Sequence, residues 1–168
     1  GYTLPWWGWN VWERFIDWMA LNGINMPLAQ TGQEAVWYEV WKTFSMSDLQ
    51  ISNYFAAPAH LPWHRMANLD GFQSPLPLNY INDQKELQKK IVARERELGM
   101  TPILSGFSGH IPQQIAETFK DSDIKRLSAW CGFQPTYFLN PNDTLFAHIQ
   151  KLFIEKQTEL YGTNHLYS

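Results

Sequence analysis

Residues 10–29 of the chain read NVWERFIDWMALNGINMPLA, and this stretch sets the pattern for the whole sequence. Its first part places apolar side chains three and four residues apart, which predicts an amphipathic helix over residues 10–22. Gly23 follows, and glycine readily takes the left-handed conformation that ends many helices. The apolar run INMPLA at residues 24–29 then predicts a short strand. The stretch therefore has the order helix, glycine, strand.

The same order occurs twice more along the chain. The predicted helices, glycines and strands are residues 83–98, Gly99 and 101–105, followed by residues 143–161, Gly162 and 165–168. Strands separated by helices favour parallel pairing in βα units. A glycine at each helix end suits the turn from a helix into a strand. The sequence thus predicts an α/β fold with three parallel strands.

Two long insertions follow the first and second predicted strands. Residues 30–80 and 106–142 make these units longer than a minimal βα unit, which needs only about 30 residues. The first insertion contains Ser47 and Gln50, spaced as a capping box that begins a helix. In α/β barrels and open α/β sheets, ligands bind at the carboxyl ends of the strands. The two insertions are therefore expected to form the functional site.

The composition excludes several classes of function. The 168 residues carry a net charge of -3 with a pI of about 5.9, so no nucleic-acid partner is expected. No apolar run approaches the roughly 18 residues that a membrane segment needs. A phosphate-binding loop and a dinucleotide-binding glycine motif are both missing, and no cofactor is expected. The single Cys131 excludes an internal disulfide bond.

Aromatic residues are abundant, at 15 % of the chain with nine tryptophans. Three of these fall at helical positions and are expected in the core: Trp12, Trp18 and Trp41. Trp6 and Trp7 lie in a loop beside Pro5, where helical packing does not require them, and Trp130 lies in the second insertion. Sugar rings stack well on flat apolar faces with a polar rim. The three loop tryptophans are therefore candidate sugar-binding residues.

Gln33 and Glu34 follow Gly32 at the start of a predicted helix. Glu34 has two interpretations. It is either a catalytic acid, or a carboxylate that the helix dipole or an orienting hydrogen bond keeps in the first turn. The second interpretation is favoured, because first-turn carboxylates need no catalytic explanation.

The histidines give weaker signals. His110 suits proton transfer because its pKa lies near neutrality, but it equally suits a hydrogen-bonded loop position. His60 and His64 would be two metal ligands only if their segment were helical, and Pro62 between them argues against a helix. No third ligand is apparent, so no metal site is expected.

Five long motifs carry a resemblance to a known family. They are WERFIDWMALNGINMPLAQTGQEAVW, LPWHRMANLDGF, PLPLNY, GMTPILSGFSGHIP and GTNHLYS. In this order, and over nearly the whole chain, they resemble the α-N-acetylglucosaminidases of glycoside hydrolase family 89. The resemblance implies that residues 1–168 form a fragment of a (β/α)8 TIM barrel. The fragment is roughly the second to fourth strand region with long βα loops, and it is truncated at both ends.

The resemblance also implies a reaction. Members of the family are retaining exo-glycosidases that remove terminal α-linked N-acetylglucosamine from glycans such as heparan sulfate or mucin-type chains. They use two glutamates, one as acid/base and one as nucleophile. Both are expected after Ser168, so no residue of this chain is assigned a catalytic role, and the fragment is expected to be inactive alone. The resemblance suggests a secreted, periplasmic or lysosomal protein.

The binding residues implied by the resemblance lie in the loops. Tyr2 and Trp130 match aromatic positions that line the sugar pocket, and Gln30 stands where some members have a tryptophan, which is expected to alter leaving-group preference. Shaping roles are expected for Trp6, Trp7, Gln33, Glu34 and His110. Two alternatives stay open: a carbohydrate-binding module without hydrolysis, and a barrel glycosidase of other sugar specificity. Each predicts a glycan as the partner.

Overall fold

A computed structural model describes residues 3–168, and helices predominate in this part of the chain. The α-helices are α1 (Trp9–Leu21), α2 (Gln33–Thr43), α3 (Asp48–Tyr54), α4 (Leu61–Arg65), α5 (Leu78–Glu97), α6 (Gln113–Thr118) and α7 (Thr144–Tyr161). The strands are β1 (His110–Ile111), β2 (Ile124–Arg126) and β3 (Tyr137–Leu139), and Leu4–Trp6 and Pro58–His60 are short 3-10 helices. Among the described residues, no helix combines the length and the apolar character needed to cross a membrane.

The three predicted units of helix, glycine and strand are all present. Gly23, Gly99 and Gly162 follow α1, α5 and α7 with φ angles of 75°, 76° and 69°. These are left-handed conformations, which a residue with a Cβ adopts only at a cost. Helix α5 starts earlier than predicted, at Leu78, directly after the extended Pro77. Its first turn was missed because the apolar stripe used for the prediction begins further along the helix.

The predicted parallel pairing is confirmed, although each strand is short. Leu28 pairs with Ile103, and Leu104 pairs with Tyr167, both in parallel. The amide of Ala29 donates to the Ile103 carbonyl at 2.9 Å, and the amide of Ser168 donates to the Leu104 carbonyl at 2.9 Å. Three parallel segments, residues 25–29, 101–106 and 166–168, therefore lie side by side in chain order.

A small antiparallel sheet in the second insertion was not predicted. Its strand order is β1-β3-β2, with His110 opposite Phe138 and Ile124 opposite Leu139. Strands of two or three residues are too short to show an alternating apolar pattern, so the sequence carries no signal for them. His110 is the first residue of this sheet along the chain, shortly after the second parallel segment.

Two apolar clusters hold the described residues together. The larger one contains the fully buried Trp41, Phe55 and Phe153 and packs α2 against α7. The smaller one lies between α1 and α5 and contains Trp12. Trp12 and Trp41 are thus core residues as expected, but Trp18 is 51 % exposed and stacks on Phe15 at the surface. Helical spacing shows which residues share a face, not which face is covered.

Side chains from the covering helices bond to the segments they cover. Gln88 of α5 donates to the Ala29 carbonyl at 2.7 Å, and Gln157 of α7 donates to the Ser105 carbonyl at 2.9 Å. In both units, a buried glutamine thus satisfies the carbonyl at the carboxyl end of the segment that precedes its helix. Burial without such a partner is costly for a carbonyl.

Gly32 is the N-cap of α2, with φ 70°, and atoms of α5 and α7 lie close to it. A Cβ on Gly32 would lie 2.7 Å from the Gln84 carbonyl of α5 and 2.8 Å from the Tyr161 hydroxyl of α7. Gly23 has nearly the same backbone conformation, with φ 75°, but open space around its Cβ position. Comparing alanine substitutions at the two glycines therefore separates the cost of backbone strain from the cost of steric overlap.

We predict that Gly32→Ala destabilises the protein more than Gly23→Ala. Gly23→Ala should lose about 1–2 kcal/mol of unfolding free energy from the left-handed conformation alone. Gly32→Ala should lose about 1–3 kcal/mol in addition, because neighbouring backbone has to move. Urea unfolding of both variants measures the difference, and equal losses would contradict the close packing at Gly32.

Candidate functional site

A cleft of about 530 Å³ opens at the carboxyl ends of the three parallel segments. Gln30, Gly106 and Ser168 lie at the ends of these segments, one for each, and all three line the cleft. Helices α2, α3 and α4, which belong to the first insertion, also contribute to the wall. The expected location of the site, at the ends of the strands and within the insertions, is therefore the location of this cleft.

The cleft brings together only part of the predicted site. Four predicted residues line it: Gln30, Gln33, Glu34 and His110. Three predicted tryptophans are not among its lining residues within 3–168: Trp6, Trp7 and Trp130. Tyr2 lies outside the described residues. The predicted polar residues thus come together at the cleft, whereas the predicted tryptophans do not line it.

Trp6 and Trp7 line a separate groove beside the cleft. The Trp6 side chain is 66 % exposed in the short 3-10 helix Leu4–Trp6. Trp7 packs edge-on against Trp12 and Phe15, with ring centroids 5.5 and 5.6 Å apart. Trp7 therefore has a packing role that its position in a loop did not reveal.

Trp130 belongs to a small aromatic group in the loop between β2 and β3. Its ring centroid lies 5.2 Å from that of Trp63 and 6.0 Å from that of Phe133. Trp63 belongs to α4, and its neighbours Pro62 and His64 line the cleft. This half-buried group therefore flanks the cleft through α4.

Polar side chains join the ends of two parallel segments at the rim. The amide of Gln30 donates to the Ser168 hydroxyl at 3.1 Å. The amide of Gln33 donates to the Gln30 carbonyl at 3.2 Å. Uncharged hydrogen-bonding groups such as these suit the hydroxyl and amide groups of a neutral ligand.

Glu34 is bound to Arg65 by two hydrogen bonds. Nε of Arg65 donates to Oε1 of Glu34 at 2.8 Å, and a terminal nitrogen of Arg65 donates to Oε2 at 2.8 Å. The Glu34 side chain is only 3 % exposed, and it lies in the first turn of α2. Both carboxylate oxygens are engaged, so the geometry favours the orienting interpretation over a free catalytic acid.

Tyr80 lies near this ion pair and helps to close one side of the cleft. Burial raises the pKa of Tyr80 to about 12, and the negative charge of Glu34 adds to the effect while Arg65 opposes it. The phenol therefore stays protonated and donates to the Pro5 carbonyl at 3.3 Å. This contact ties the first loop to α5.

Three ligand-type side chains that the sequence did not connect lie together, two of them lining the cleft and Asp70 beside it: His64, Asp70 and His110. Oδ1 of Asp70 lies 2.8 Å from Nε2 of His110 and 3.4 Å from Nδ1 of His64. Burial raises the pKa of Asp70, but the two imidazoles outweigh it and the pKa is lowered overall. The prediction that no third ligand-type side chain is present was thus wrong, since Asp70 and His110 both lie beside His64.

The reasoning from Pro62 was also wrong. Residues Leu61–Arg65 form α4, and Pro62 lies in its first turn, where proline leaves no hydrogen bond unmade. His60 nevertheless does not join His64, because His60 precedes α4 and packs on Phe72 at a ring distance of 4.7 Å. Arg65 and Asp70 were missed because their partners are distant in sequence. Glu34 is 31 positions from Arg65, and His110 is 40 positions from Asp70, so only the fold brings them together.

Comparison with known proteins identifies the family. The family model described as the alpha-N-acetylglucosaminidase (NAGLU) tim-barrel domain matches residues 1–168. The chain belongs to this family. It is 38 % identical over 170 residues to alpha-N-acetylglucosaminidase of Homo sapiens, covering 99 % of this chain and 23 % of the human protein.

Solved family structures show the same fold. The family 89 glycoside hydrolase from Clostridium perfringens, in complex with 2-acetamido-1,2-dideoxynojirmycin, matches with a TM-score of 0.90 and 33 % identity. A form of the clostridial protein in complex with its substrate GlcNAc-alpha-1,4-galactose matches equally well. Each match covers 99 % of this chain and 20 % of the clostridial chain. The chain thus spans between a fifth and a quarter of these relatives.

These matches confirm the family resemblance and assign the α/β fold to a TIM-barrel domain. They explain why the cleft lies where it does, since barrel enzymes place their sites at the carboxyl ends of the strands. The numbering of the strands within the barrel stays a prediction.

We predict that the Glu34–Arg65 pair acts as one unit in stability. Arg65→Met should cost about 3–5 kcal/mol, because it leaves the buried Glu34 carboxylate without its partner. The double variant Glu34→Gln/Arg65→Met should recover part of this loss. Asp17→Asn is the control, since it removes the more exposed Asp17–Arg94 pair and should cost much less. Urea unfolding measures these losses. If the double variant lost as much unfolding free energy as Glu34→Gln and Arg65→Met lose together, the coupling would be contradicted.

Proposed function

We propose that this chain forms part of the substrate-binding wall of a retaining exo-glycosidase that hydrolyses terminal α-linked N-acetylglucosamine from glycans. One observation carries the proposal: the cleft at the carboxyl ends of the parallel segments belongs to a chain that the family's TIM-barrel model matches over residues 1–168. The human relative bears the name of this activity, and the clostridial relative is bound to GlcNAc-alpha-1,4-galactose.

We further propose that residues 1–168 are one partial catalytic domain, roughly the second to fourth strand region of the (β/α)8 barrel. The three parallel segments and the helices α5 and α7 support this proposal, because they follow the alternation of a barrel. The long insertions after the first and second segments supply the loops that shape the cleft.

Catalysis by this family requires a pair of carboxyl groups. Retaining glycosidases hold them about 5 Å apart, one as acid/base and one as nucleophile. The clostridial form bound to its substrate carries two glutamate-to-glutamine substitutions, which supports a glutamate pair. Glu34 lines the cleft of this chain but is locked to Arg65. We therefore assign no catalytic role within residues 1–168 and expect these residues alone to be inactive.

The residues proposed to hold the sugar are uncharged or aromatic. Gln30 and Gln33 offer amide groups at the rim, and His110 offers an imidazole at the wall. Trp130 offers a flat face beside the cleft, and Tyr2 is proposed to line the same pocket. Trp6 and Trp7 are proposed to shape the neighbouring loop. Such a set suits a neutral amino sugar, whose hydroxyl and acetamido groups both donate and accept hydrogen bonds.

The proposal predicts anomer-specific hydrolysis by the complete protein that contains these residues. It should release nitrophenol from an aryl α-N-acetylglucosaminide and leave the β-anomer intact, because the carboxyl pair is placed for one face of the bond. Residues 1–168 assayed in parallel should release none. Binding without turnover by the folded complete protein would favour a carbohydrate-binding module. Turnover of a different α-glycoside alone would favour a barrel glycosidase of other sugar specificity.

In the same assay, Trp130→Ala should lower kcat/KM. Loss of a stacking aromatic is worth about 0.5–1.5 kcal/mol beyond its buried area, which corresponds to a loss of about two- to tenfold. Trp18→Ala is the matched control, because Trp18 is an exposed tryptophan of α1 that does not line the cleft. Equal kcat/KM values for Trp130→Ala and the unchanged protein would remove Trp130 from the site.

A further inference from the structure

One carboxylate oxygen at the wall of the cleft faces two imidazoles. Oδ1 of Asp70 lies 2.8 Å from Nε2 of His110 and 3.4 Å from Nδ1 of His64. The two histidine side chains are 6 % exposed and that of Asp70 is 27 % exposed. The ring centroids of His64 and His110 are 4.9 Å apart. Three groups from separate parts of the chain thus share one small space.

The His64 backbone also contacts the His110 imidazole, and the N–H at Nε2 of His110 is close to Asp70 without being aligned on it as a hydrogen bond. His64 belongs to α4, Asp70 to the loop after it, and His110 begins β1. Tyr54 of α3 closes the cluster, with its ring 4.6 Å from His64 and 5.3 Å from His110. Burial, with the charge of Asp70, raises the pKa of Tyr54 well above its ordinary range, so the phenol is neutral.

We propose that Asp70 is a positioning residue for the sugar-binding wall: it holds the His110 imidazole in one orientation and one tautomer, and His64 holds Asp70 in place. This inference rests on the proposed function, because the wall is taken to bind an N-acetylglucosamine unit. His110, His64 and Tyr54 line the cleft, whereas Asp70 is not among its lining residues. Asp70 therefore acts through His110.

The chemistry of the imidazole gives Asp70 its effect. A carboxylate 2.8 Å from Nε2 favours the proton on that nitrogen and so selects one tautomer of the neutral ring. Burial and the neighbouring His64 imidazole lower the pKa of His110, and Asp70 and the His64 backbone only partly offset this effect, so the ring is neutral at neutral pH. Without the carboxylate, both tautomers and other ring orientations become accessible. A bound sugar would then meet the His110 ring in the expected orientation in only part of the molecules.

The same three side chains also resemble a zinc ligand set, since two histidines and a carboxylate are common ligands of Zn²⁺. One distance argues against this use. Oδ1 of Asp70 and Nε2 of His110 are 2.8 Å apart. Two ligand atoms that each lie about 2.0–2.2 Å from a tetrahedral Zn²⁺ are about 3.3 Å apart. Direct contact between Asp70 and the imidazoles is therefore favoured.

Helix α4 connects this cluster to the other buried charge pair of the cleft. His64 and Arg65 are consecutive, and they contact Asp70 and Glu34 respectively. Helix α4 is thus held in place by the side chains of both His64 and Arg65. The orientation of His110 is consequently tied to the same helix that orients Glu34.

The test uses PUGNAc, a neutral ligand found bound to the clostridial relative, with the complete protein. Calorimetry should give an affinity for Asp70→Asn about tenfold weaker than for the unchanged protein at pH 7, the order expected for one mispositioned hydrogen-bonding group. Loss of the charge also lowers the pKa of His110 further, so the fall of affinity on the acid side should move to lower pH. If Asp70 had a purely structural role, Asp70→Asn would lower Tm but would leave the pH at which affinity falls on the acid side unchanged.

Asp48→Asn is the matched control, because Asp48 also joins two partners, Tyr38 and Lys42, but does not line the cleft. It should leave both affinity and pH profile unchanged. His64→Gln is a second variant that keeps Asp70 beside His110. It should give a smaller loss of affinity, and it decides the question if Asp70→Asn does not fold.

Crystal structures of the variants separate this inference from the proposed function. If the unchanged protein does not bind PUGNAc, the proposed function fails, and a displaced His110 ring in Asp70→Asn still supports the positioning role. Unchanged affinity together with an unmoved ring would overturn it. Stoichiometric Zn²⁺ binding that is lost in Asp70→Asn would also overturn it, because the carboxylate would then serve a metal.

Discussion

The candidate site depends on the parallel hydrogen bonds that join the three short segments. Pairing of Leu28 with Ile103 and of Leu104 with Tyr167 brings three carboxyl ends to one edge. Each end continues into residues that line the cleft, so side chains far apart in sequence become neighbours. The buried glutamines Gln88 and Gln157 complete this edge, because they satisfy carbonyls that the short pairing leaves open. The backbone pairing itself therefore forms this wall of the cleft, and a ligand is not needed to assemble it.

Two buried charge clusters then fix the shape of that wall. Glu34 and Arg65 lock α2 to α4, and Asp70 joins α4 to the start of β1 through two histidines. Removing charges from water is costly, and the cost is offset only when partners and geometry are well defined. Such clusters therefore favour one arrangement of the insertion over its alternatives. A cleft held in this way meets a ligand without further ordering of its side chains, which limits the entropic cost of binding.

The sequence predicted repeating elements well and contacts between distant loops poorly. Apolar spacing and the glycines after the helices located the three units, because these signals are local. The antiparallel sheet has strands too short for any periodic signal, and Trp18 showed that spacing alone does not say which helical face is covered. Gln33 and Glu34 were predicted because they follow a glycine between a strand and a helix, whereas Gln30 was predicted only from the family resemblance. Arg65 and Asp70 were missed, since their roles come from partners that only the tertiary fold supplies.

The most direct test of the account is a crystal structure of the complete protein bound to GlcNAc-alpha-1,4-galactose. We expect the N-acetylglucosamine ring in the cleft bounded by Gln30, Gln33 and His110, with Trp130 at its side and the Glu34 carboxylate still bound to Arg65. A ring bound elsewhere on the protein, with the cleft empty, would contradict the central claim. Direct contact between Glu34 and the glycosidic oxygen would contradict the separation of binding from catalysis in this part of the barrel.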